Sequence, residues 1–206
     1  MIWSGSKTDN KVAITFDDGP KPDQMKTILD ILRKYKVKAT FFVIGRHSET
    51  YPDLIYRIDQ EGHDLGNHTY SHHRLDTLTD SQVELEISAA TDILKSITGK
   101  TITIFRPPGG KFNLTVRNAL DKMNMKMILW DVNAGDYTHD SPFYGIKGER
   151  SAQNISERVL SGAEHGSIIL MHSGGDETIK SLPVIITGLR KRGFKLVTLS
   201  ELLNGD

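Results

Sequence analysis

Five stretches of this 206-residue chain end in groups that bind cations or move protons. Asp17 and Asp18 stand side by side in Thr15-Phe16-Asp17-Asp18-Gly19, and His68 and His72 lie four apart in His68-Thr69-Tyr70-Ser71-His72. Arg106 precedes Pro107-Pro108-Gly109-Gly110, Asp131, Asn133 and Asp136 follow Trp130, and His172 ends Ile169-Leu170-Met171-His172. Two imidazoles four residues apart converge on one divalent cation, whether in a helical turn or a tight loop. A carboxylate from Asp17 or Asp18 completes a three-ligand set with open positions, the arrangement of a catalytic metal. Adjacent carboxylates repel, and a cation beside them relieves that cost. Hydrolysis is the chemistry indicated: one aspartate holds the metal, its neighbour takes a proton from the attacking water, and a buried Arg106 pairs with that base and keeps it ionised. Each piece has a plainer reading. Asp-Asp-Gly-Pro is a good helix-entry turn, and eight histidines in one chain leave room for an unremarkable pair in a polar surface loop.

What weighs against the plainer readings is that each group follows a stretch that reads as a strand. Lys11–Phe16 and Ala39–Ile44 are continuous apolar runs, the first ended by Asp17-Asp18-Gly19-Pro20. Further strands are expected around His63–Gly66 and over Thr101–Phe105, Lys126–Trp130, Ser167–Met171 and Lys195–Thr198. Helical spacing fills the intervals: from Pro22 to Tyr35, Tyr51–Glu61 with Pro52 in its first turn, and Asp80–Thr98 before Gly99. It continues from an Asn113 cap to Lys122, over Ser151–Gly162 and over Glu177–Arg192. Strands alternating with helices imply an α/β fold with a mostly parallel sheet. The reading is one domain over residues 1–206, core about 11–203, built as a distorted (β/α) barrel of about seven parallel strands. In such barrels function sits at the carboxyl ends of the strands, where all five stretches arrive.

Composition narrows the function classes. Lys plus Arg and Asp plus Glu are 26 each, a balance that argues against an electrostatic nucleic-acid binder. Zero cysteines exclude thiol nucleophiles, iron–sulfur clusters and thiolate zinc sites. No apolar run approaches the ~18 residues of a membrane helix. The first residues show no basic segment followed by an apolar stretch, so no signal peptide is expected; the chain is either cytosolic or trimmed from a longer secreted precursor.

The four motifs containing Asp17-Asp18, His68 and His72, Arg106 and His172, in this order from about Lys11 to Leu203, resemble those of the polysaccharide deacetylases, carbohydrate esterase family 4 or the NodB-homology domain. That resemblance implies removal of acetyl groups from N-acetylated sugar polymers with a divalent metal. It implies Asp17 as general base, Asp18, His68 and His72 as metal ligands, Arg106 orienting Asp17, and His172 as the acid for the departing amine. It further implies that Asp136 partners His172, that the Gly109 backbone amide assists the oxyanion, and that Leu170 and Tyr137 line the acetyl pocket. The ligand types suit zinc, with cobalt or nickel as alternatives. The chain departs from the family at Gly109, often Tyr, at Tyr137, usually Trp, and at Asn133, commonly a carboxylate. All three positions touch substrate. Expected partners are a polysaccharide or oligosaccharide and no nucleic acid, with the protein a monomer. The resemblance implies a secreted or cell-surface bacterial enzyme. An O-acetyl esterase of xylan-type polymers and a non-catalytic carbohydrate-binding homologue are the competing readings. His47, His63, His73, His139 and His165 are expected to be solvated or locally bonded, Trp3 and Trp130 to be packing residues, and 137–148, with Pro142, Phe143 and Tyr144, to be either a sugar-stacking segment or an irregular loop.

Overall fold

The computed structural model describes residues 1–137 and 150–204. Its organising element is β1 (Lys11–Gly19), buried along its whole length. A strand buried on both faces must be apolar in sequence and covered by helices, and Lys11–Phe16 meets the first condition. On one edge β1 pairs β7 (Ile168–His172) from Ala13 to Asp17. On the other it pairs β8 (Lys195–Val197) through Lys11–Ala13 and then β2 (Thr40–Val43) from Thr15 onward. Beyond β2 the sheet continues through β3 (Asp64–Asn67), β4 (Ile104–Phe105) and β5 (Lys126–Met127); beyond β7 it ends in β6 (Val132–Asn133). Every pairing between these eight strands is parallel, in the order β5-β4-β3-β2-β1-β7-β6 with β8 added on β1. The N-terminal residues span the open side, Ile2 bridging Ile128 and Ser4 bridging Ser167.

Helices cover the outside. They are α1 (Pro22–Tyr35), α2 (Gly45–Thr50), α3 (Pro52–Gln60), α4 (Asp80–Thr98), α5 (Leu114–Lys122), α6 (Ala152–Gly162), α7 (Asp176–Lys191) and α8 (Leu199–Asn204). Each longer helix buries one stripe: Met25, Ile28, Leu29 and Leu32 of α1, or Leu182, Ile185, Ile186 and Leu189 of α7. Each such side chain contributes roughly 1.5–3 kcal/mol on burial. The ends are set by local chemistry. Thr79 and Gln82 form a reciprocal capping box at the start of α4, Gly99 closes it at φ 71°, and Asn113 caps α5 through the Val116 N–H.

Three expectations need correction. β1 does not stop at Phe16 but runs to Gly19, because a register break between Phe16 and Gly19 takes up Asp17 and Asp18 without ending the pairing. The segment after β2 turns at once into α2, where only a strand end was expected at Gly45. The strand expected over Lys126–Trp130 closes at Met127, since the Ile128 and Leu129 carbonyls accept hydrogen bonds from Arg106 instead of a neighbouring strand, and β6 starts separately.

Candidate active site

The carboxyl ends of β1, β3, β4 and β7 converge on one cavity, lined by Asp17, Asp18, His68, His72, Gly109, Trp130, Asn133, Gly135, Tyr137, Leu170 and His172. Arg106, directly after β4, is fully buried beneath it. A guanidinium without solvent needs protein acceptors in place of water, and four of its five N–H bonds have one. Nη1 donates to Asp17 Oδ1 at 2.8 Å and to Thr15 Oγ1 at 2.7 Å, Nε to the Ile128 carbonyl and Nη2 to the Leu129 carbonyl. Phe42 lies 4.1 Å beneath the guanidinium. Asp17 is thereby held by a buried ion pair at one oxygen. Ser173 ties down its backbone, with Oγ and N both donating to the Asp17 carbonyl.

Asp18 points to the two imidazoles, its Oδ1 standing 3.1 Å from His72 Nε2 and 3.4 Å from His68 Nε2. Burial alone would raise its pKa, but hydrogen bonds with His68 and His72, with charge from His68 and His172 added, outweigh that and hold the carboxyl well below the usual range. His68 Nδ1 lies 2.8 Å from the Arg106 carbonyl, which can only accept. Nδ1 therefore carries a proton, and Nε2, which faces Asp18, is the nitrogen left to take a metal. The loop carrying both histidines is built from its own polar residues. Asn67 Oδ1 accepts from Thr69 N, Thr69 Oγ1 from His72 N, and the Glu86 carboxylate from Ser71 N and Oγ. Of the five non-glycine residues at positive φ among the described residues, Asp18, Thr69 and His72 are three. A left-handed conformation costs such residues about 1–2 kcal/mol each, and its concentration on two candidate ligands and the residue between them marks backbone set for side-chain placement.

On the far side of the cavity His172 Nδ1 is 2.9 Å from Asp136 Oδ1. The other oxygen, Oδ2, accepts from His172 N and from Thr178 Oγ1, each at 2.8 Å. Burial pulls the His172 imidazole down, but the Asp136 hydrogen bond and charge, aided by Asp17 and Asp18, leave it raised above the ordinary histidine value. Tyr137 stacks on the same ring, centroids 4.6 Å apart.

Asp17, Asp18, His68, His72, Arg106, Asp136, His172, Gly109, Leu170 and Tyr137 thus meet in or directly behind one cavity. Asp131 does not. Its carboxylate accepts from Ile168 N, Ser167 Oγ and Lys7 Nζ, fixing the opposite end of β7. Trp130, expected to be a packing residue, lines the cavity, its ring against Gly110. At Gly110, φ is 66° and any Cβ would come within 2.9 Å of Trp130 Cη2, so glycine lets that ring close the wall. The signal that it ends a strand beside the site was present in the sequence, but it did not separate lining from packing. His63, His73 and His165 make local contacts away from the cavity, with Ala39 N, Ser71 Oγ and the Phe194 ring respectively, and His47 does not line it. His139 and the residues 138–148 of the suggested stacking segment lie outside the described residues.

The ligand atoms of Asp18, His68 and His72 all lie within 4.8 Å of one another. Two imidazole nitrogens and one carboxylate oxygen, two of the three residues buried, fit a divalent cation by donor type and spacing. Comparison with known proteins agrees. The polysaccharide deacetylase family model matches residues 4–128. The chain is 33% identical to a peptidoglycan-N-acetylglucosamine deacetylase of Bacillus cereus, over 98% of this chain and 92% of that protein. It is 37% identical to the peptidoglycan-N-acetylmuramic acid deacetylase PdaC of Bacillus subtilis, over 93% of this chain and 38% of that longer protein. A crystal structure of a peptidoglycan N-acetylglucosamine deacetylase in complex with 4-naphthalen-1-yl-N-oxidanyl-benzamide superimposes with a TM-score of 0.89 at 34% identity, covering 100% of this chain and 93% of the other. With the fold, the motif order and these relatives in agreement, the chain belongs to the polysaccharide deacetylase family.

Proposed function

We propose that this protein is a metal-dependent hydrolase that removes N-acetyl groups from N-acetylglucosamine-containing polysaccharide, chitooligosaccharide or peptidoglycan. The observation that carries this reading is the pairing, across one cavity, of an Asp18-His68-His72 donor set and an Arg106-held Asp17 with an Asp136-backed His172. The family is metal-dependent, and here Asp18, His68 and His72 would hold the ion, zinc by ligand type with cobalt or nickel as substitutes. When bound, the cation supplies Lewis-acid activation of water and of the acyl oxygen.

The remaining roles fall to the chain itself. Asp17 accepts the proton that the attacking water loses as its oxygen bonds to the acyl carbon, and Arg106 fixes the direction of that carboxylate. The Gly109 backbone N–H, at the cavity wall, donates to the oxygen that becomes negative. The acyl C–N bond then breaks, and His172, kept protonated by Asp136, gives its proton to the departing nitrogen, leaving acetate and a free amine. Leu170 and Tyr137 flank the acetyl methyl. We place the activity in one domain with its core at about residues 11–203, acting as a monomer outside a bacterial cell. No described helix is long and apolar enough to cross a membrane.

Acetate release by metal-loaded protein from N-acetylglucosamine oligomers, peptidoglycan and acetylated xylan tests the reading. Release from the first two is expected to exceed that from xylan, and Asp17→Asn is expected to abolish release while metal content stays at wild-type level. Faster release from xylan overturns the amide assignment, and a fully active Asp17→Asn protein overturns the base.

A further inference from the structure

Lys21 caps the start of α1 and is half-buried, yet no carboxylate among the described residues lies within ion-pair distance of its ammonium. Two independent contacts locate that ammonium. It stands 5.9 Å from the centroid of the Tyr137 ring, which stacks on His172. It also crosses the backbone of Gly174, two residues beyond His172, so closely that a Cβ there would overlap Nζ. The charge therefore sits at the rim of the cleft on the side of the proposed acid. Three acidic groups on this side of the cleft are committed elsewhere: Asp17 to Arg106, Asp136 to His172 and Thr178, and Glu177, on the first turn of α7, to Lys180 and the Ala152 amide.

We propose that Lys21 receives a carboxylate carried by the sugar next to the one being deacetylated, so that the enzyme prefers acidic aminosugar polymers to neutral ones. This rests on the deacetylase reading and narrows its substrate class. A cation at the edge of the cleft with no carboxylate partner among the described residues attracts an anionic polymer locally and fixes which side the acidic sugar occupies. In peptidoglycan-type glycans every second sugar carries a lactyl group, whose carboxyl is either free or extended by a peptide with its own carboxylates. Chitooligosaccharides have no such group.

The test compares kcat/KM for acetate release from three probes: neutral N-acetylglucosamine oligomers, peptide-free glycan strands with free lactyl carboxylates, and peptide-bearing strands. The selectivity ratio, acidic over neutral, is expected to fall about fivefold in Lys21→Gln, largely through KM, the size of a partly exposed ion pair. Lys21→Arg should restore most of it, and the wild-type ratio should shrink toward the mutant value as salt is raised to about 1 M. A drop on peptide-free strands assigns the lactyl carboxylate; a drop on peptide-bearing strands alone assigns the peptide. Loss of equal size on all three probes, or a wild-type ratio insensitive to salt, overturns the proposal. If wild-type protein releases acetate from no probe, the deacetylase reading fails, and equilibrium binding of the same probes to wild type and Lys21→Gln decides the Lys21 assignment by the same ratio.

Discussion

Two histidines in this barrel, one in the core and one at the cavity wall, are shifted in opposite directions. His63, just before β3, accepts a hydrogen bond from Ala39 N at Nδ1, while its Nε2 has no hydrogen-bond partner among the described residues, the Glu61 carboxylate standing 4.0 Å away. Burial, with the Lys38 charge added, pushes it down to about 4. His172, at the end of β7, is pulled down by its surroundings as well, but the Asp136 carboxylate on Nδ1 turns the balance and leaves it raised. Enclosure by itself makes a histidine a neutral core residue. A buried carboxylate behind the ring turns the balance toward the protonated form.

The sharpest way to break this contrast is to remove the carboxylate charge while keeping its shape. Asp136→Asn leaves the Nδ1 partner an amide, and acetate release is expected to fall about 10³-fold, the order lost when a positioned acid is disabled. The pH profile carries the diagnostic. Because the acid must be protonated and its pKa is raised, wild-type kcat/KM should persist above the ordinary histidine value and decline only as pH climbs through the raised one. In Asp136→Asn that alkaline limb should move to lower pH. A limb that stays in place would show that some other group sets it.

Next in size is the His63 side of the comparison, read through stability. Its folded pKa lies below the unfolded value of 6.5, so above 6.5 both states are deprotonated and the histidine imposes no penalty. As pH falls from 6.5 toward 4 the unfolded chain takes up a proton that the folded one refuses, and stability drops by about 3 kcal/mol in all. Urea unfolding at a series of pH values should show this slope in wild type. His63→Phe should flatten it, and an equal slope in both proteins would exonerate the residue.

How far the sequence discloses these differences depends on how local the determinants are. The long apolar run of β1, the Gly99 stop of α4 and the four-residue spacing of His68 and His72 are readable because neighbours within a few residues fix them. β4, β5 and β6, two residues each, carry no pattern of their own. Their extents follow from distant partners, such as the Arg106 guanidinium that takes the Ile128 and Leu129 carbonyls. The same holds in the site. By residue type and position after a strand Asp131 and Asp136 look equivalent; the family resemblance singles out Asp136, and the fold sends Asp131 to the start of β7 and Asp136 behind His172. Trp130 ends an apolar run in the same way whether it packs or lines a cleft.

Thr178 is the clearest such long-range determinant, 42 residues from the carboxylate it serves. Its hydroxyl and the His172 amide both occupy Asp136 Oδ2, leaving Oδ1 aimed at the imidazole. Thr178→Val keeps the volume and removes this donor from a fully enclosed charged acceptor, which costs about 1.5–3 kcal/mol of stability. With one restraint lost and the carboxylate charge retained, activity should fall only about tenfold, far less than in Asp136→Asn. The alkaline limb should shift slightly upward, because a carboxylate stripped of one donor attracts the imidazolium more strongly. Thr178→Ser should recover both rate and limb, since the hydroxyl, not the methyl, makes the contact. Destabilisation without any change in the limb would make Thr178 a packing residue alone and leave the aim of Asp136 to the His172 amide.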